Sequence, residues 1–149
     1  KEKYGSSNEY GITLVSLNDK FKKQFEPFSS PYSERIKSLK YLHDKGLKTW
    51  VSIEPYPTPN LVEQDLNKIL NEIKFVDRII FGKLNYNVES SKFEYKGSFY
   101  EECANQVIKF CEKNNIDYHI KFGTQKVANK ETVTLFRKET NKPLTAYSL

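Results

Sequence analysis

Four pairs of polar residues carry whatever chemistry this sequence performs: Ser16 and Asn18, Ser52 and Glu54, Lys83 and Asn85, and His119 and Lys121. The members of each pair are two positions apart, the spacing that places side chains on one face of a strand. Each pair falls at or near the end of an apolar run, and polar groups ending successive parallel strands reach the same crevice. Glu54 is the most constrained of them, because the run KTWVSIEPYPTPN closes on it and then meets Pro55, Pro57 and Pro59. A carboxylate held at a strand end is a candidate general acid or base, and Lys83 is the second catalytic candidate. The competing reading is that single members of the set simply face water at strand ends. No nucleophile–base pair, glycine-rich phosphate loop or metal-spaced cluster accompanies them, so no metal site is read; chemistry carried by a bound cofactor fits that absence.

The elements that position these residues follow from periodicity. GITLVSL, residues 11–17, reads as a buried strand that ends at Asn18-Asp19, with a long aromatic loop over 20–30 containing Phe21, Phe25 and Phe28. Ser30 and Pro31 open a helix whose stripe is Ile36, Leu39 and Leu42, with His43 as a surface residue in its last turn and Gly46 as its left-handed exit. The strand 48–55 points Trp50, Ser52 and Glu54 one way and Val51 and Ile53 the other. Asn60 and Glu63 predict a capping box before Val62, Leu66, Ile69, Leu70 and Ile73. A strand over 76–84 follows, then a polar and aromatic excursion over 85–97 that is a candidate lid. Ser98 and Glu101 open a third helix with Tyr100, Ala104, Val107, Ile108 and Cys111 on its buried side. Ile116, Tyr118, Ile120 and Phe122 then alternate with Asp117, His119 and Lys121 in a fourth strand.

Strand and helix alternating in this way imply an α/β fold of parallel β/α units, either half a barrel or a small doubly wound sheet. The organisation expected is a tail or linker over 1–10, one β/α domain over 11–124 and an extension over 125–149, in which TVTLF is a short extra strand without a place. The 149 residues are 38% hydrophobic and 29% charged, which suits one globular core and excludes a disordered chain. No apolar run is long enough for a bilayer and no signal peptide is seen, so a cytoplasmic protein without a membrane partner is expected. The net charge of +5 favours polyanions. Cys103 and Cys111 lie roughly 12 Å apart along one helix, beyond disulfide reach. No methionine is present, which suggests a piece of a longer protein.

The ordered series SLND, FEPFSSPYSERIKSLKYLHDKG, VSIEPYPTPN, IIFGKLNYN and YHIKFGT resembles the second half of a radical S-adenosylmethionine enzyme, nearest to the spore-photoproduct-lyase-like group. The resemblance covers residues 11–124 and implies the fourth to sixth β/α units of a partial TIM-type barrel. It implies S-adenosylmethionine as cofactor, with Ser16, Asn18, Ser52, Glu54 and Asn85 bordering it, and Tyr56, Tyr86, His119 and Lys121 on the substrate side. It also implies lyase or DNA-repair chemistry on a nucleic-acid substrate. The family's C-x3-C-x2-C motif is absent, so a [4Fe–4S] cluster has no ligands in this chain and would belong to an N-terminal half of the same enzyme. Two other classes compete: a self-contained hydrolase or lyase using Glu54, and a nucleic-acid-binding module stacking bases on Phe25, Phe28, Tyr56, Tyr86 and Tyr95.

Overall fold

The computed structural model describes residues 8–125. The TVTLF run, almost all of the expected C-terminal extension and residues 1–7 of the expected tail lie outside them. The order is β1 (Glu9–Thr13), α1 (Asp19–Phe25), α2 (Tyr32–Asp44), β2 (Lys48–Tyr56), α3 (Leu66–Glu72), β3 (Arg78–Lys83), α4 (Val88–Ser91), α5 (Lys96–Asn114) and β4 (Asp117–Ile120). The four strands form one sheet in the order β1-β2-β3-β4, and every pairing is parallel. This is the α/β architecture expected from the alternation. The strand order never reverses, so the switch point that defines a doubly wound sheet is missing among these strands.

The alternation within each strand divides the sheet into two unlike faces. Val51, Ile79 and Tyr118 stand in register on one face, as do Ile53, Phe81 and Ile120, and all six are buried. They join Leu39 of α2, Ile69 and Leu70 of α3, and Tyr100, Ala104, Val107 and Cys111 of α5 in a single core. Each such side chain contributes about 1.5–3 kcal/mol by leaving water, so this face accounts for the attachment of the helices. The other face carries Gly11, Trp50, Arg78 and Asp117 in one row and Thr13, Ser52, Ile80 and His119 in the next. None of these eight residues is buried. No helix among the described residues is long and apolar enough to cross a membrane.

Several helix starts differ from the sequence reading. Residues 19–25 are helical rather than loop, because Asn18 Oδ1 accepts the N–H groups of Lys20 (2.9 Å) and Phe21 (3.1 Å). Phe21 is consequently buried and stacks on Phe25 at 4.5 Å. Pro31, not Ser30, precedes α2. Asp65, not Asn60, caps α3 by accepting Asn67 N–H, whereas Asn60 donates to the Glu89 carbonyl at 2.7 Å. The expected lid contains α4, and α5 begins at Lys96, two residues before Ser98, whose hydroxyl donates to the Tyr95 carbonyl. The first strand also starts two residues early, taking Glu9 and Tyr10 from the expected tail. The last strand ends at Ile120, leaving Phe122 exposed instead of on the apolar face. Gly46 and Asn115 do end α2 and α5 in left-handed backbone, at φ +74° and +56°.

One buried hydroxyl ties the ends of the two central strands together. Tyr100 Oη donates to the Tyr56 carbonyl at 2.7 Å and accepts the Leu84 N–H at 3.0 Å, so both strand exits are held by one side chain of α5. Burial pushes its phenol above the ordinary range. Tyr100→Phe keeps the ring and strands both backbone groups. We expect it to cost about 1–3 kcal/mol in urea unfolding, the penalty of unsatisfied buried groups; a loss below about 0.5 kcal/mol would show that the strand ends hold themselves.

Candidate functional site

Glu54 stands at the C-terminal end of β2, where the register with β3 slips. Ile53 pairs with Phe81 but Tyr56 pairs with Lys83, so three steps on β2 oppose two on β3. The extra residue is a bulge at Glu54-Pro55, and the peptide between them is cis. The bulge explains how β2 continues through Pro55 to Tyr56, where proline was expected to stop a central strand: a bulged position leaves the ladder and needs no donor N–H.

From that position the Glu54 side chain lies over Gly82 of β3 and meets Lys121, just beyond β4, at 3.4 Å. A Cβ at position 82 would stand 2.8 Å from Glu54 Cδ and Oε1, so the glycine leaves the path open. Lys121 is therefore the carboxylate's cationic partner. Both ends of the pair are partly exposed, which limits its contribution to about 0–1 kcal/mol and makes it a positioning contact. A second glycine acts likewise on the same face: the Trp50 indole lies flat across Gly11, with Cε2 only 2.2 Å from where a Cβ would be.

The other expected site residues divide between the crevice and the framework. Ser52, Glu54, Lys83 and His119 are half-buried near the C-terminal strand ends, and Asn85 and Lys121 are exposed there. Ser16 is fully buried; its hydroxyl donates to Gln64 Oε1 at 2.7 Å and accepts the Asn18 N–H at 3.0 Å. Its bonding capacity is spent on the chain itself, and Asn18 spends its carbonyl on the α1 cap. Tyr56 is also buried, stacked on Phe99 and tilted against Phe81, with its phenol pushed upward by burial, so it offers no stacking surface. Tyr86 is fully exposed in left-handed backbone at φ +54°. Phe25, Phe28 and Tyr95 are exposed as well.

Two framework residues escaped the sequence reading. Gln64 donates to the Val15 carbonyl at 2.9 Å while accepting from Ser16, pinning the segment after β1. Arg35 donates to the carbonyls of Thr13 (2.8 Å) and Ser30 (2.9 Å), pairs with Glu26 and covers the Tyr32 ring at 4.6 Å. The nearby Tyr32 phenol is pushed up to about 12, by burial first and by Glu26 second. Gln64 has no local signal, since its partners lie 48 and 49 residues away, and Arg35 reaches back 22 residues to Thr13. At the opposite end of the strands, Asp77 accepts Thr49 N–H (2.7 Å) and Oγ1–H (3.0 Å), and His43 lies against both residues. His43 is thus a half-buried packing residue in the last turn of α2. A cavity of about 330 Å³ opens at that end, between Lys48, Arg78 and Asp117.

The cysteines offer no iron site. Cys103 and Cys111 are free, buried on the core side of α5, and their thiols are pushed up to about 12 by burial. Among the described residues no group of three His, Cys, Asp or Glu side chains could hold a metal.

No protein-family model matches the chain, and no solved structure matches it significantly. A curated relative does: the uncharacterized protein MJ0683 of Methanocaldococcus jannaschii is 34% identical over 98 residues, or 65% of this chain. The matched region spans 37% of that protein's length. Similarity to a protein without a known activity leaves function to be argued from the site.

Two predictions follow from the open face. Gly82→Ala displaces only the far end of a flexible carboxylate, so it should hold stability within about 1 kcal/mol, whereas Gly11→Ala must lift a whole indole and should cost roughly 1–3 kcal/mol. Chemical denaturation of both variants tests the contrast; equal losses would remove the cradle interpretation of Gly82. The second concerns His119, whose pKa is held below its ordinary 6.5, chiefly by burial, then by Lys121, with Arg78 adding and Glu54 opposing. Below that ordinary value the unfolded chain binds the extra proton, so stability is full above it and falls as the solution is acidified. His119→Gln should flatten the decline between about pH 7.5 and about pH 5, and an unchanged slope would assign it to other groups.

Proposed function

We propose that this chain is the C-terminal part of a radical S-adenosylmethionine enzyme, in which it supplies cofactor- and substrate-facing residues while the cluster is held by an N-terminal part. The observation that carries the proposal is the open sheet face: among the described residues, an all-parallel, unreversed β-sheet has one dry face and one polar face whose residues are not buried, as half of a barrel has. Parallel strands are ordinarily covered on both faces, so an uncovered one favours a structure completed by further β/α units. The match to little more than a third of a longer relative agrees with this reading.

The donor set suits the organic cofactor and not the cluster. Ser52, Glu54 and Asn85 provide a hydroxyl, a carboxylate and an amide at one lip, groups that bind ribose hydroxyls and an amino-acid ammonium. The buried thiols at positions 103 and 111 cannot serve iron from where they stand. When bound to a reduced cluster, S-adenosylmethionine supplies the radical that starts the reaction. This chain's part is to bind and orient: Lys121 aims the Glu54 carboxylate across β3, and Gln64, Arg35 and Tyr100 hold the strand exits on which the lip is built. A nucleic-acid substrate is favoured by the exposed rings of Phe28, Tyr86 and Tyr95 on a basic chain.

Anaerobic reconstitution of the isolated chain should give no 5′-deoxyadenosine, and turnover by it alone would show that its cysteines or other groups hold a cluster. In the complete enzyme, Glu54→Gln should weaken equilibrium binding of S-adenosylmethionine roughly tenfold, the loss of one charge-assisted hydrogen bond, with stability kept within about 1 kcal/mol. Unchanged binding with a large loss of stability would make Glu54 a structural anchor instead.

A further inference from the structure

Among the described residues β1 has a strand neighbour on one side only, β2. Leu14 N–H donates to the Ser52 carbonyl at 2.9 Å, so Ile12 and Leu14 turn their backbone groups toward β2. In an extended parallel strand the N–H and C=O of one residue point the same way, and those of the next point oppositely. Glu9, Gly11 and Thr13 therefore turn theirs to the outer edge of the sheet. In keeping with that direction, the Thr13 carbonyl accepts Arg35 Nη1–H at 2.8 Å.

The two edges of the sheet are guarded unequally. Native sheets blunt an open edge with charge, proline, a bulge or brevity, because such an edge templates a further strand. β4 is four residues long and sets Asp117 and His119 on the open face, with Lys121 just beyond. β1 pairs with β2 over five residues without a slip of register, and it contains neither proline nor lysine. Its one charge, Glu9, is engaged with Arg78 at 3.4 Å. The residues it then sets on the open face, Gly11 and Thr13, are small and exposed. The half-buried Trp50 indole lies flat across Gly11 and gives an adjoining strand an apolar surface to pack on.

We propose that the outer edge of β1 pairs with one further parallel strand, supplied by β/α units in the N-terminal part of the same protein. The inference rests on the reading of this chain as part of a larger enzyme, and it names the backbone groups through which the parts join. The ladder uses the Glu9 carbonyl, the Gly11 N–H and C=O and the Thr13 N–H, and it stops at the Thr13 carbonyl because Arg35 holds that group. A parallel strand extends the unreversed order of the sheet, and its right-handed crossover into β1 sets its helix on the face that α2, α3 and α5 already cover. The curated relative has room for such units, since the match spans 37% of its length.

Amide hydrogen exchange in the isolated chain and in the complete protein tests this edge. In the isolated chain the Gly11 and Thr13 amides should exchange freely while those of Ile12 and Leu14 are protected. In the complete protein the Gly11 and Thr13 amides should slow roughly tenfold or more. Thr13→Pro removes one outward N–H and spares the ladder to β2. It should leave the urea midpoint of the isolated chain unchanged, lower that of the complete protein and return Gly11 to fast exchange, whereas Thr13→Val, which keeps the N–H, does none of these. Gly11 and Thr13 amides that stay fast in the complete protein, or a protein found complete without further β/α units, would overturn the proposal. Protection that rises with the concentration of the isolated chain would overturn it too, by making a second copy the occupant. Protected edge amides in a complete protein that cleaves no S-adenosylmethionine would retire the enzyme reading and leave the edge standing; turnover with an open edge would do the reverse.

Discussion

Glu54 reaches Lys121 because residue 82 has no side chain. β2 and β4 are separated by β3, so a carboxylate on one contacts a cation beyond the other only by lying across the strand between them. A β-carbon at position 82 closes that path. The bulge at Glu54-Pro55 completes the arrangement, since the slip of register changes where β2 presents its last residues relative to β3. The pair contributes little to stability because both groups remain partly solvated, and its consequence is directional: a carboxylate that would otherwise sample several rotamers is held over the sheet.

That geometry depends on the two faces of the sheet being unlike. The helix-covered face is filled by aliphatic and aromatic side chains in register across the strands, leaving no room for polar chemistry. On the other face Ser52, Glu54 and His119 remain partly accessible. Its charges alternate across the strands, with Arg78 between Glu9 and Asp117, so the face is close to self-neutralised at the N-terminal ends of the strands. At the C-terminal ends Glu54 is matched by Lys121, and Lys83 at the end of β3 adds further positive charge.

The architecture was legible in the sequence wherever the signal was local and periodic. Alternation along 48–54 assigned each side chain of β2 to its correct face, and the helical spacing of Leu66, Ile69 and Leu70 identified the buried side of α3. Caps were less legible because Asn, Asp and Ser serve turns and helix starts alike, which is why Asn18 read as a strand-ending turn when it starts α1. Burial near strand ends was illegible for a different reason. Ser16 and Tyr56 look like surface candidates by position, yet Gln64, 48 residues from Ser16, and Tyr100, 44 residues from Tyr56, engage them from elsewhere in the chain. The two glycine cradles have no sequence signature, since each depends on the residue registered beside it on the next strand.

In the proposed reading the chain binds and orients a ligand rather than reacting by itself. The two thiols are buried with their pKa values raised, which suppresses the thiolate that either nucleophilic or metal chemistry needs. Glu54 sits half-exposed against Lys121, an arrangement suited to a carboxylate that accepts hydrogen bonds. His119 is on the same face, and burial first, then Lys121 and Arg78, disfavour its proton, which suits a neutral acceptor or donor more than an acid. The proposed cofactor-dependent reading rests on such groups, which present hydrogen-bonding partners near the strand ends to a ligand that brings its own reactivity.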